Sequence, residues 1–357
     1  MKLFAMGLLL FSVSAVSKVE MAFESDLDVI WAFEFMENDQ FLLTTRDGKL
    51  MLADRKTNST KPINGLPKIH VSGQGGLLDV IKDRDFKNNK FIYLTYSKKT
   101  KSGSTTALFR AKLVGQSLIE GKDIFVAKTN SSTSRHYGSR VRQDKNGNLF
   151  MSIGDRGKRH DSQKLSNHQG TIVRIDREGK ALPDNPFVKD SSALPEIYSY
   201  GHRNPQGMDY SESEDQIYVN EHGPRGGDEI NKIMAGKNYG WPVITYGKEY
   251  WGPSIGEGKK KSGMEQPLFY FVPSIAPSGL VYYQSDLHPE WRKSFFSGAL
   301  VLEHLNRVYF DGKSKSYKED RSKEIANMEL RVRSVKVNRK GELYFSSDEG
   351  DIYRYQP

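Results

Sequence analysis

One recurring cassette restricts the fold of this chain more than any other feature: a turn, then an aliphatic residue, then an aromatic residue or Met. It appears as Asp47-Gly48-Lys49-Leu50-Met51, Asn89-Lys90-Phe91-Ile92-Tyr93, Asn146-Gly147-Asn148-Leu149-Phe150, Asp215-Gln216-Ile217-Tyr218, Asn306-Arg307-Val308-Tyr309 and Lys340-Gly341-Glu342-Leu343-Tyr344. The Asp-Gly, Asn-Gly and Lys-Gly steps supply the positive φ of tight hairpins, and spacings mostly of about 35 to 90 residues suit four-stranded units separated by insertions. Period-two alternation, the mark of a half-buried strand, runs alongside it, as in Val29, Trp31, Phe33 and Phe35 or Leu149, Met151 and Ile153. The pattern predicts an all-β chain, a six-bladed β-propeller of four-stranded antiparallel blades. A sandwich followed by a second β domain would need a linker, and the sequence has no Pro/Ser-rich or charged stretch long enough to serve.

Composition narrows the chemistry. Among 357 residues there is no Cys, which excludes disulfides, thiolate metal sites and cysteine nucleophiles. A mean hydropathy of −0.63 excludes multiple membrane spans. Residues 1–17 begin with Lys2, continue through a mostly apolar Leu3 to Val13, and end with the small residues Ala15 and Ser17. They read as a secretory signal. The expected organisation is therefore a signal peptide over 1–17 and a single propeller over 18–357, periplasmic or secreted, with no stable membrane insertion. The formal charge is +9, but the basic residues are scattered, and the densest run, Lys259-Lys260-Lys261, lies among Gly256, Gly258 and Gly263. It reads as a solvated loop, not a nucleic-acid site.

Four loops carry more polar chemistry than turning the chain requires. The first, Arg135-His136-Tyr137-Gly138, precedes a strand ending at Gly154-Asp155-Arg156-Gly157. A neutral imidazole there can accept a proton from a hydroxyl, with a carboxylate setting its tautomer, although a lone His136 reads equally as a surface or structural residue. The second, Gly201-His202-Arg203-Asn204-Pro205-Gln206-Gly207, has a proline that biases Asn204 to an extended backbone. It presents planar donors suited to carboxylates or carbonyls, or else it ties blades together. The third runs from Glu221 to Glu229 and is followed by Asn238-Tyr239-Gly240-Trp241; its glycines and proline beside carboxylates offer the hard oxygens calcium prefers, without the spacing of an EF-hand. In the fourth, Arg331-Val332-Arg333, alternation puts two guanidinium groups on one face, as an anion clamp or an exposed cationic strand. Trp31, Trp241, Trp251 and Trp291 are candidates for lining a sugar site or for the core.

Taken together, and with Gly73-Gln74-Gly75-Gly76-Leu77-Leu78-Asp79 and Pro273-Ser274-Ile275-Ala276-Pro277-Ser278-Gly279, these strings make the chain from about Val29 onward resemble the soluble pyrroloquinoline quinone (PQQ) dependent sugar dehydrogenases. The match is to the glucose/sorbosone dehydrogenase family and especially its aldose sugar dehydrogenase branch. The resemblance implies a six-bladed propeller that oxidises aldose sugars to lactones and passes electrons to a further, unidentified acceptor, as a monomer or homodimer. It implies His136 as the general base, with Gln74 and Asp155 around substrate and base. Arg203 and Asn204 fall on PQQ-contacting positions, and Arg203 is also expected to stabilise charge on the reduced quinone. Ser274, Arg331 and Arg333 fall on cofactor positions. Gly223 and Pro224 would give carbonyls to a calcium ion that also binds PQQ, and Glu229 and Tyr239 match positions of a second calcium.

The sequence also departs from the family. Val301 stands where a cofactor-binding Lys is common, with Arg307 as a nearby cation able to substitute. Arg135 replaces an acidic residue of the glucose dehydrogenases, and His222 replaces a glutamine. Two other readings compete: a non-catalytic, calcium-stabilised propeller acting as a binding module, and a calcium-dependent hydrolase of the lactonase type. The base together with the cationic clamp argues against the first, and the carbonyl motif Gly223-Pro224 against the second.

Overall fold

The computed structural model describes residues 18–129 and 131–356, so the expected signal segment lies outside the described residues. Six antiparallel four-stranded sheets follow one another along the chain. Blade 1 comprises Ile30–Phe35, Gln40–Thr45, Leu50–Asp54 and Ser59–Pro62. Blades 2 to 5 begin at Leu77–Lys82, Val141–Gln143, Pro205–Ser211 and Pro277–Tyr282, and these first strands pack against the first strands of their neighbours around the axis. Blade 6 takes three strands from Val332–Val337, Leu343–Ser347 and Ile352–Gln356 and its fourth from the other end of the chain, Lys18–Phe23. That pairing closes the ring by holding strands from both ends of the described chain in one blade.

The core is split into six apolar clusters among the described residues, one in each interface between neighbouring blades. This refines the half-buried reading of the strands. In Phe41-Leu42-Leu43, Phe41 and Leu43 enter the cluster shared with blade 6, while Leu42 enters the one shared with blade 2. Alternation therefore sorts side chains between two buried interfaces, and Leu149–Ile153 is buried at every position. Each fully buried aliphatic side chain contributes about 1.5–3 kcal/mol of transfer free energy.

The cassette counts the blades but does not mark one equivalent position. Four copies sit at the turn between the first and second strands of blades 2, 3, 4 and 6, whereas Asp47-Gly48 turns between strands two and three of blade 1 and Asn306-Arg307 lies within the third strand of blade 5. The equivalent feature of all six blades is a positive-φ residue in the first turn: Asp39, Lys90, Gly147, Asp215, Lys293 and Gly341. A hairpin needs left-handed backbone there, and Asp and Lys accept it as well as Gly when the flanking strands hold them. These turns all lie on one face of the ring. The loops before each first strand and after each second strand lie on the other, and every proposed site residue belongs to that face.

Candidate active site

His136 stands in the loop before blade 3 with φ of 56°, unusual for a residue with a side chain. Its surroundings impose that conformation. Gln74, from the loop before blade 2, accepts from the His136 amide through Oε1 at 2.7 Å. Arg156, fully buried under the loop and 3.5 Å from the Tyr137 ring centroid, donates to the carbonyls of Arg135 and Thr133. Gly154 allows the close approach, because a Cβ there would sit 2.2 Å from the His136 carbonyl oxygen.

The imidazole Nδ1 lies 2.7 Å from Asp155 Oδ1. Asp155 also accepts from the Gly157 amide at 2.7 Å and, through Oδ2, from Trp241 Nε1 at 2.8 Å. Burial alone would raise this carboxyl, but the hydrogen bond and charge of His136, with the charge of Arg203, hold it below the usual carboxylate range. Asp155 is thus an anion that makes Nδ1 the donor, and Nε2 has no partner among the described residues. Burial, with the nearby Arg203 charge, pushes the His136 pKa below its ordinary value, against the opposing pull of Asp155. The outcome is a neutral imidazole with its Nε2 lone pair free, the form a general base requires.

Arg203, 7% exposed, donates its amide to Glu221 at 2.7 Å and its Nη1 to the His222 carbonyl at 3.1 Å. Asn204 accepts from the Gly138 amide, so its carbonyl end serves the His136 loop. His222 is held by Nε2 against the Pro277 carbonyl, and burial, then Arg203, pushes its pKa to about 3, leaving it neutral.

Arg203, Glu221, Gly223, Glu229, Tyr239 and Trp241 line one cavity. The Gly223, Pro224 and Tyr239 carbonyls accept no hydrogen bond from the described residues. Tyr239 uses its hydroxyl on the backbone of Lys232 and Met234 and stacks on His202, so its carbonyl, not its phenol, is the group available to a cation. Glu229 is raised to about 8, first by burial and next by the Glu221 charge. Asn231 donates to both Glu221 and Glu229 while its own Oδ1 is buried without a partner. Crowded carboxyls, free carbonyls and an orphaned amide oxygen form a donor set that fits a hard divalent cation.

Ser274 does not stand free for a ligand: its hydroxyl donates to Asp228 at 2.6 Å, and the same carboxylate accepts from the Ile275 and Ala276 amides. The arginine clamp is present but already holds an anion. Arg333 grips Asp348 with Nε and Nη2, both at 2.7 Å, and Arg331 adds Nε at 2.9 Å and donates Nη1 to the Leu300 carbonyl. Asp348 is the site residue that sequence reasoning left without a role. Asp348 directly follows the second strand of blade 6, as His222 does in blade 4 and, one residue further out, Asp155 in blade 3, which is the signal that would have found it. Val301 is 47% exposed on the same face. Arg307 cannot take the place of the absent lysine, because its side chain bonds Ser294 and Glu290 beside the first turn of blade 5, on the opposite face.

Fold and site together define a closed six-bladed propeller whose mouth holds a carboxylate-oriented histidine beside arginines, buried carboxyls and free backbone carbonyls. The model of the glucose/sorbosone dehydrogenase family matches residues 27–354, and the chain belongs to that family. It is 36% identical to aldose sugar dehydrogenase YliI of Escherichia coli (strain K12), covering 98% of this chain and 95% of that one. A solved apo-form structure of the soluble aldose sugar dehydrogenase from Escherichia coli superposes with a TM-score of 0.91 at 36% identity, over 96% of this chain and 100% of that one. Quinoprotein glucose dehydrogenase B of Acinetobacter calcoaceticus is 26% identical over 62% of this chain and 52% of that one. The family is one of sugar-oxidising enzymes, and this chain is an oxidoreductase of that kind.

Proposed function

We propose that the protein oxidises the anomeric carbon of aldose sugars to the lactone, dependent on PQQ and calcium, with His136 as general base. The observation that carries this reading is the His136–Asp155 pair: Asp155 engages Nδ1 and leaves Nε2 without a partner among the described residues. In this reading Nε2 takes the proton of the anomeric hydroxyl. Asp155 stabilises the imidazolium that forms, and Gln74 and Arg156 keep the ring aimed. Arg203, Asn204, Arg331 and Arg333 would hold the tricarboxylate quinone, while the carbonyls of Gly223 and Pro224 and the Glu229–Tyr239 cluster would hold calcium. When bound, PQQ supplies the hydride acceptor and calcium polarises its carbonyl.

The kinship with a quinoprotein of the same family supports PQQ, and the donor set around Glu229 supports calcium. A scaffold without chemistry would not need a buried imidazole with one ring nitrogen held by a carboxylate and the other left without a partner among the described residues. The test is reconstitution of purified protein with PQQ and calcium, reading the cofactor's absorption shift and sugar-dependent dye reduction. His136→Asn should cut turnover by about 10²-fold or more with PQQ binding intact. Near-normal turnover in that variant removes His136 from the mechanism, and a parent protein that binds no PQQ returns the binding-module reading.

A further inference from the structure

The 35-residue connection between the third and fourth strands of blade 4, 234–268, is far longer than a blade turn needs. It climbs beside the last strand of blade 3, where Tyr239 donates to Tyr200 and Trp241 to Gly201, and reaches the mouth. There it folds into a hairpin bridged at Lys248 and Ser254, and Lys248 is also bridged to Arg225. Glu249 is held by both Nη atoms of Arg159, whose guanidinium lies 5.5 Å from the Trp241 ring centroid. A braced hairpin therefore stands on the rim of the active site.

Its tip is Tyr250-Trp251. Trp251 is 75% exposed and Tyr250 65%, the two highest values among the large hydrophobic residues described, followed by Val272 at 62% on the neighbouring rim. The charges around them are one-sided. Every acidic side chain of the insertion is already paired: Glu249 with Arg159, Glu257 with Lys261 and Glu265 with Lys237. Lys248, Lys259, Lys260 and Arg225 are exposed and have no carboxylate partner among the described residues.

We propose that this hairpin tip, with Lys248 and Arg225 beside it and Lys259 and Lys260 further along the same insertion, forms a docking site for an anionic lipid bilayer. Trp and Tyr side by side on a protruding turn suit the headgroup boundary, where an amphipathic ring is stable without a matching pocket. The unpaired lysines supply attraction to anionic headgroups within a Debye length. A protein partner for the same residues would have to provide a concave apolar pocket lined with acids, whereas a bilayer accepts a convex tip as it is. Docking in this way turns the mouth of the propeller toward the membrane. The inference is independent of the cofactor, since it rests on the insertion alone.

The test mixes purified protein with vesicles of phosphatidylcholine containing about a quarter phosphatidylglycerol, and with phosphatidylcholine alone. Co-sedimentation is expected with the first and not the second, and is expected to disappear as salt is raised. Trp31, Trp241 and Trp291 are 4%, 6% and 4% exposed, so brominated lipid should quench Trp251 selectively. The Tyr250→Ser/Trp251→Ser and Lys259→Gln/Lys260→Gln double variants should each weaken binding by about tenfold or more while their melting temperatures stay at the parent value. Equal sedimentation of parent and Tyr250→Ser/Trp251→Ser protein, or no lipid quenching of Trp251, overturns the proposal. Shielding of Trp251 by an oligosaccharide or an acidic protein, with none by lipid, overturns it as well.

Discussion

Replacing Asp155 with Asn tests whether the carboxylate makes the base. Three N–H groups converge on Asp155: His136 Nδ1 and the Gly157 amide on Oδ1, and Trp241 Nε1 on Oδ2. An amide accepts at only one end. With its NH2 toward Trp241, two donors face each other in a buried site, at a cost of about 1–3 kcal/mol. With its NH2 toward His136, the ring is driven to the tautomer protonated at Nε2, which removes the lone pair that takes the proton. In either orientation the anion that stabilises the imidazolium is gone, a charge-assisted bond contributing about 1.5–3 kcal/mol. The clash is common to ground and transition states, so the lost imidazolium stabilisation alone sets a fall in kcat of about 10- to 10²-fold, and the wrong tautomer deepens it. The pH profile adds a signature. Burial holds the His136 pKa below the ordinary histidine value and Asp155 opposes that shift, so the acid limb of kcat/KM should lie below that ordinary value and move to still lower pH in Asp155→Asn. Dye-coupled steady-state kinetics on PQQ- and calcium-loaded enzyme, with a PQQ titration to show that binding survives, measure both effects. A kcat within about threefold of the parent, or an acid limb displaced to higher pH, refutes the reasoning.

Two more predictions concern the metal and the cofactor. Glu229, raised to about 8 in the metal-free protein, binds a proton that the unfolded chain has lost, so its contribution to stability declines as pH rises through the window from about 4.5 to 8. In the proposed reading calcium replaces that proton, so the gain in melting temperature on adding calcium should grow between about pH 5 and pH 8, and Glu229→Gln should abolish most of the gain; a pH-independent gain in scanning calorimetry would contradict this. At Val301, exposed on the mouth and one residue from the carbonyl that Arg331 bonds, Val301→Lys should tighten PQQ binding by about one to two orders of magnitude in a titration, and unchanged affinity would show that the lysine position lies elsewhere.

What the chain determines locally could be read from its residues alone. Period-two patterning and turn chemistry are interactions between near neighbours, so they predict strands, hairpins and a count of six; Phe41-Leu42-Leu43 and Asn146-Gly147 behave as that chemistry requires. The strings around His136, Arg203, Gly223 and Arg331 were equally legible, because each is short and contiguous. Tertiary structure decided how they combine. Only the packing of neighbouring blades brings Gln74 from one blade to the His136 amide of the next, and only the climb of the blade-4 insertion carries Trp241 to Asp155, 86 positions away. Strand pairing within blade 6 places Asp348 between Arg331 and Arg333, which alternation alone read as an unoccupied clamp, and strand direction within blade 5 sends Arg307 to the far face. The physical reason is that a propeller converts positions far apart in sequence into loops around one axis. Which side chains meet there depends on blade order and strand direction, to which no local pattern is sensitive.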